Sequence, residues 1–412
     1  MQGIFKYLIL SVLALSLISC DGEENNPTPP SVDKNIWGTT YSHANLGAYP
    51  DIYSKYWVYA FDVTKNPGIG LRIAGVYPQA RFFSFSIYND LKGEVIDGLD
   101  DVNVSPDDGY INPYNTTTGS TDNRFTIYLV KEGTDLSLLP DVKEENVCYF
   151  NEDVECVSVC LRQYLGEGEF GGVELPAIEG VDLNTGDIVD APEAVTSKAT
   201  IMKDGNFVAL ESDQLTEVPF LLSPRGDYFP NNSTDYLYCR TQLTTDQVLT
   251  FSFIPAPIPT CVEEYQSAKA RYWSICIGSV MNTYSYCSFY DRMLEYEDGQ
   301  KITVAVVSAN NAKLKDVKEA MQNIPYSYLM EWDEKHLDNQ GREINNIITV
   351  LYRNILPDKT WPYSMSNMTP TPYGDPYNSI TDPDKQMAHK ALGDYGPLGT
   401  KYTTDEFLQI YK

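Results

Sequence analysis

One five-residue word occurs twice, about half a chain apart: Ala80-Arg81-Phe82-Phe83-Ser84 and Ala270-Arg271-Tyr272-Trp273-Ser274. Each copy opens an alternating, strand-like run. On average residue usage, a chance second copy in a chain of this length is on the order of one in a thousand. Flanking landmarks repeat in the same order. Tyr49-Pro50-Asp51 precedes Tyr56 as Phe229-Pro230-Asn231 precedes Tyr236, and Val159 to Leu165 with Arg162 answers Val350 to Leu356 with Arg353. Arg81 to Arg162 is 81 positions and Arg271 to Arg353 is 82. Conserved internal spacing of this kind marks a duplicated unit.

The runs Phe82–Tyr88, Arg124–Val130, Leu249–Ile254 and Lys301–Val307 are β-branched and aromatic, bounded by turn residues such as Asn66-Pro67-Gly68 and Glu297-Asp298-Gly299. One helix is expected over Leu314–Ile324, from apolar residues at helical spacing, and one hairpin at Asn184-Thr185-Gly186. The pattern predicts a mainly β chain: two tandem, duplicated antiparallel β-sandwich domains, jelly-roll-like, with a few short helices. The expected boundaries are a lipoprotein signal peptide at 1–19, an acidic and Pro-rich tether at 20–35, a first sandwich with its connection at 36–215, and a second at 216–412. Residues 166–228 read as a connection, and the chain after Pro357 as a surface tail.

The leader carries one charge, Lys6, then an apolar run from Leu8 to Ile18 and the lipobox Leu17-Ile18-Ser19-Cys20. That run is short for a bilayer span of ~20 residues. It fits an export signal with acylation of Cys20, which tethers a protein to a membrane. An outer-membrane lipoprotein facing the periplasm or the cell surface is the expected address. Loss of Lys6 with the leader takes the formal net charge from -27 to -28. A surface this acidic excludes nucleic acid, which is bound through Lys and Arg.

The two arginine words, Ile87-Tyr88-Asn89, the segment Asp101–Tyr114, Leu351 to Pro357 and the ending Leu392-Gly393-Asp394-Tyr395-Gly396-Pro397 resemble a family of uncharacterised secreted bacterial and fungal proteins. That family is related to the twelve-fourteen and twelve-fifty-four domains of unknown function. The resemblance implies a secreted double β-sandwich with no established activity, so no catalytic residue carries over. Family members carry cysteines where Cys276 and Cys287 flank a hairpin, which implies a disulfide there in an oxidising compartment. Cys148 with Cys156 and Cys239 with Cys261 are further candidate pairs, and Cys160 reads as a small core residue.

Three histidines (His43, His336 and His389) form no zinc pair, and no Gly-x-Ser-x-Gly elbow or phosphate loop occurs. No cofactor or metal is expected, although the acidic segment Asp97–Asp108 has oxygen ligands of the calcium type. Ligand-binding candidates are Arg81, Arg162, Arg271 and Arg353, whose guanidinium forks suit a carboxylate or sulfate, with Tyr56, Trp57, Tyr88 and Trp273. The alternative for the arginines is pairing with buried carboxylates or carbonyls. Aromatic clusters at Tyr53–Tyr59 and at Trp361, Tyr363, Tyr373 and Tyr377 suit stacking on neutral sugars. The expected function is binding of a carbohydrate or another neutral small ligand. A carboxylate- or tyrosine-based hydrolase or lyase and a structural or adhesive role are the alternatives.

Overall fold

Period-two alternation decides what each strand buries. In Phe82–Asn89, Phe83, Phe85 and Ile87 join one apolar core while Phe82, Ser84, Ser86 and Tyr88 point the other way, yet all eight residues are buried. Both faces of this strand are therefore covered, which departs from a sandwich with one wet side.

The computed structural model describes residues 36–47, 49–116, 123–200, 215–224, 229–279, 285–333, 347–372 and 377–412. The lipobox with Cys20 and the tether lie outside them. Nine strands occupy the first half: β1 (Ser54–Asp62), β2 (Ile69–Val76), β3 (Phe82–Asn89), β4 (Glu94–Asp100), β5 (Arg124–Lys131), β6 (Val147–Phe150), β7 (Cys156–Tyr164), β8 (Ala177–Asp182) and β9 (Ile188–Val189). The second half holds β10 (Glu217–Pro219), β11 (Leu221–Leu222), β12 (Thr234–Gln242), β13 (Gln247–Phe253), β14 (Tyr272–Ser279), β15 (Ser285–Tyr290), β16 (Ile302–Ser308), β17 (Ser327–Trp332), β18 (Ile347–Ile355) and β19 (Leu398–Thr403). Four short helices accompany them: α1 (Leu314–Met321), α2 (Pro383–Gln386), α3 (Ala388–Ala391) and α4 (Thr404–Tyr411).

The strands form four sheets, ordered β1-β7-β3-β4, β6-β5-β2-β8-β9, β11-β12-β18-β14-β15 and β10-β19-β13-β16-β17. The first and third share one connectivity, since β12, β18, β14 and β15 follow each other as β1, β7, β3 and β4 do. Registers agree as well. Arg162 lies opposite Tyr56 and Ser84, and Arg353 opposite Tyr236 and Ser274. Both copies of the third strand slip register at the same place, Ile87/Tyr88 and Ile277/Gly278. Left-handed backbone recurs too, at Tyr49 and Phe229 and at Leu165 and Leu356, residue types for which a positive φ is uncommon.

Each half has its own core. One apolar cluster takes Trp57, Tyr59, Phe83, Phe85 and Leu161 from the first sheet with Leu71, Ile73, Phe125, Ile127 and Ile178 from the second. Its counterpart takes Trp273, Ile275, Val350 and Tyr352 with Leu249, Phe251, Val304 and Met330. Trp57 and Trp273 are fully buried there, so neither is available to a ligand.

Three expectations are corrected. The sheets are mixed, because β5 pairs with β6 and β16 with β17 in parallel; each pair is joined by a long crossover, the second one carrying α1. Residues 166–228 contribute β8 beside β2, and the tail after Pro357 contributes β19 between β10 and β13, with Phe407 packed below it. Cys276 and Cys287 are free thiols, as are the other five described cysteines. Cys276 pairs with Ser288 and Cys287 with Ile277, so the one-residue offset sends the two sulfurs to opposite faces of the sheet.

Candidate functional site

The outward faces of the sheets β1-β7-β3-β4 and β11-β12-β18-β14-β15 meet. Their shared surface includes Phe82 and Tyr164 from one half against Tyr272 and Ile355 from the other. All four repeated arginines lie at this junction, each buried.

Arg81 and Arg271 cross it reciprocally. Arg271 Nη1 stands 3.1 Å from Asp101 Oδ2 and Arg81 Nη2 3.6 Å from Asp291 Oδ2. Both carboxylates also accept from the backbone of a third strand, Asp101 from Phe83 N and Asp291 from Trp273 N. Arg81 Nε further donates to the Arg271 carbonyl at 3.0 Å. Burial outweighs the pull of these arginines and pushes the carboxyl of Asp101 up to about 7 and that of Asp291 up to about 6. These two arginines therefore clamp the halves together rather than an external ligand.

Arg162 and Arg353 form the second reciprocal set. Arg353 Nη2 donates to the Tyr49 carbonyl at 2.9 Å, and Arg162 Nη2 to the Phe229 carbonyl at 3.1 Å. Those carbonyls are the left-handed residues noted above, so the uncommon backbone aims an acceptor at the other half's guanidinium. Arg353 Nη1 pairs with Asp51 Oδ2 at 2.6 Å, and Asp51 also accepts from Tyr272 and Ser274. Arg162 instead donates to Ser86 Oγ at 2.6 Å and to the Tyr88 hydroxyl. Between the two guanidinium groups lies a cavity of about 60 Å³, lined by Leu46, Tyr56, Tyr88, Cys160, Tyr164 and Tyr236 among others. Burial raises the Cys160 thiol and the Tyr88 phenol, against the opposing pull of Arg162, so both stay neutral.

Of the eight ligand candidates, Tyr56, Tyr88, Arg162 and Arg353 converge on this cavity; Arg81 and Arg271 lie in ion pairs; Trp57 and Trp273 lie in the cores. Cys160 lines the cavity rather than a sheet core. Asp51, Asp101, Asp291 and Phe229 were missed as partners. A signal for Asp51 and Phe229 was present in the landmark Tyr49-Pro50-Asp51 against Phe229-Pro230-Asn231, where one carboxylate matches one amide; none marked Asp101 or Asp291.

The acidic segment does not gather. Asp97 accepts from Tyr149 N, Asp100 from Asn103, Asp107 from Thr126, and Asp108 pairs with Lys143. Among the described residues, no group of three or more His, Cys, Asp or Glu converges to hold a metal.

A separate aromatic surface lies on the chain after Pro357. Asp358 turns the backbone by accepting from Thr360 N and Trp361 N, its side chain anchored by Lys269 at 2.8 Å. The turn presents Trp361 and Tyr363 beside Tyr395: Tyr363 stacks on Tyr395 at 4.5 Å and 22°, and Trp361 meets Tyr395 edge-on at 4.9 Å. Tyr363 is 43% exposed. Asp394, held by Lys301 at 2.9 Å, and Asn367 border the patch. In the Tyr53–Tyr59 cluster, by contrast, Tyr56, Trp57 and Tyr59 are buried. Tyr377 turns its hydroxyl to the backbone of Arg240, and Tyr373 lies outside the described residues.

The chain is similar in structure to an uncharacterised protein from Burkholderia cenocepacia, at 9% identity and a TM-score of 0.47 over 89% of this chain and 82% of that one. A Vibrio parahaemolyticus protein matches at 9% identity and a TM-score of 0.40, over 77% and 88% of the two chains. No protein-family profile and no curated protein matches the chain.

Proposed function

We propose that this chain is an exported, lipid-anchored binding protein for neutral glycans, built from two copies of one β-sandwich at 36–215 and 216–412. The repeated strand order, registers and left-handed residues support the duplication. The order of its sequence words supports kinship with the uncharacterised secreted family. Acylation of Cys20 supplies the anchor, with the acidic tether holding the sandwiches away from the outer membrane.

The observation that carries the ligand class is the surface aromatic group of exposed Tyr363 with half-buried Trp361 and Tyr395, bordered by Asp394 and Asn367. Aromatic rings offer an apolar face to the C–H side of a sugar, and a polar border takes its hydroxyls. A net charge of -27 repels acidic polysaccharides and leaves neutral ones unaffected. The hydrolase or lyase alternative has less support at the junction. Its buried carboxylates Asp51, Asp101 and Asp291 are each ion-paired to an arginine.

Affinity electrophoresis in gels containing mannan, xylan, a mixed-linkage β-glucan or starch tests this reading. At least one neutral polymer retards the wild-type chain, and W361A with Y363A abolishes the retardation. Unretarded migration through all four polymers, or equal retardation of the double variant, overturns it.

A further inference from the structure

Arg162 and Arg353 are twins by register, but among the described residues only Arg353 has a counter-ion. Asp51 and Asn231 hold matching places in their turns: the side-chain oxygen of Asp51 accepts from Tyr53 N at 2.9 Å, and that of Asn231 from Ser233 N at 3.0 Å. The second oxygen of Asp51 neutralises Arg353. At the other site the corresponding atom is the Asn231 amide nitrogen, which is buried without a partner, as is the hydroxyl of Ser84, the twin of Ser274. Among the described residues Arg162 makes no ion pair, and its three hydrogen bonds leave two of its five N–H groups uncommitted. Tyr88 and Cys160 are neutral, so the described residues supply no negative charge to this guanidinium.

A buried guanidinium that lines a cavity with N–H groups to spare is a preformed receptor for an anion. The remaining walls select what the anion carries. Leu46, Val58, Phe229 and the ring of Tyr56 are apolar, and Asp51 at the far guanidinium repels a second negative charge. At about one water-sized position per 10–15 Å³, a cavity of about 60 Å³ holds roughly four to six non-hydrogen atoms. We propose that the cavity binds a small monocarboxylate of two to four carbons, whose carboxylate gives Arg162 the counter-charge that Asp51 gives Arg353. This site is independent of the aromatic patch and of its glycan.

The full chain is titrated with propionate by calorimetry, with propionamide and 1-propanol as neutral isosteres and succinate as the dianion. Propionate binds saturably, and the neutral isosteres and succinate bind at least tenfold more weakly. The variant N231D places a carboxylate beside Arg162 from within. It weakens propionate binding at least tenfold and raises the melting temperature. R162Q also removes binding. Absence of saturable propionate binding up to tens of millimolar, equal binding of propionamide, or unchanged binding by N231D overturns the proposal. The isostere comparison is made on the wild-type chain and stands even where a variant fails to fold.

Discussion

Removing Arg353 and removing Arg162 are chemically the same change at matching positions, yet the structure assigns them different costs. In R353M, Asp51 stays buried beside Tyr272 and Ser274 with no cation, and stranding one member of a buried pair costs about 3–5 kcal/mol. In R162M no carboxylate is stranded. The bonds to Ser86, Tyr88 and Phe229 are lost, but so is an unneutralised buried charge, and the net change stays within about 1 kcal/mol. With an unfolding entropy of about 2.1 cal/mol/K per residue over roughly 380 folded residues, 1 kcal/mol moves the melting temperature by about 1.3 °C. The expected drop is therefore about 4–6 °C for R353M and no more than about 1–2 °C for R162M. Differential scanning fluorimetry reads both, and the buried Trp57 and Trp273 report each core through intrinsic fluorescence. D51N installs the residue found at the twin site, so D51N/R353M recovers most of the loss, with a coupling energy of about 2 kcal/mol or more. Equal losses for the two arginine variants, or no recovery in the double variant, refute the charge assignment.

Two further predictions follow from the cysteines and the junction carboxylates. Denatured without reductant, the chain exposes seven reactive thiols from its described cysteines, and in the native state the exposed Cys261 reacts first; fewer than seven would restore a disulfide. Asp101 and Asp291 have folded values raised to about 7 and about 6, above those of the unfolded chain. Their contribution to stability is fully present below the unfolded value and is lost as pH rises through 6 to 7, so melting temperature falls between pH 5 and pH 8. D101N and D291N flatten that slope; an unchanged slope in both would place the titration elsewhere.

Strands with strong alternation were legible because their side-chain period is printed in the residues: Phe82–Asn89 and Tyr272–Ser279 needed no tertiary context. β8 and β19 were not legible, since Ala-Ile-Glu-Gly-Val-Asp and Leu-Gly-Thr-Lys-Tyr-Thr owe their place to a neighbouring strand rather than to their own hydrophobicity. The repeated arginines were visible, but not the partners of Arg81 and Arg271, because Asp101 lies 170 positions from Arg271. Adjacent candidates also parted company. Tyr272 and Trp273 are neighbours in sequence and face opposite sides of one sheet, one to the junction and one to the core. The disulfide reading failed for the same reason, as proximity along a hairpin says nothing about side until the register is known.

The crossed ties at the junction have the form of an isologous contact, in which residue i of one partner meets j of the other and j meets i. Arg81 with Asp291 and Arg271 with Asp101 obey that rule, as do Arg162 with the carbonyl of residue 229 and Arg353 with that of residue 49. Such closure is what a two-fold homodimer makes. On the duplication reading, a single-unit ancestor would have assembled through this surface before its gene was fused. Fusion then released the two sides from identity, letting one side keep an aspartate while the other drifted to an asparagine.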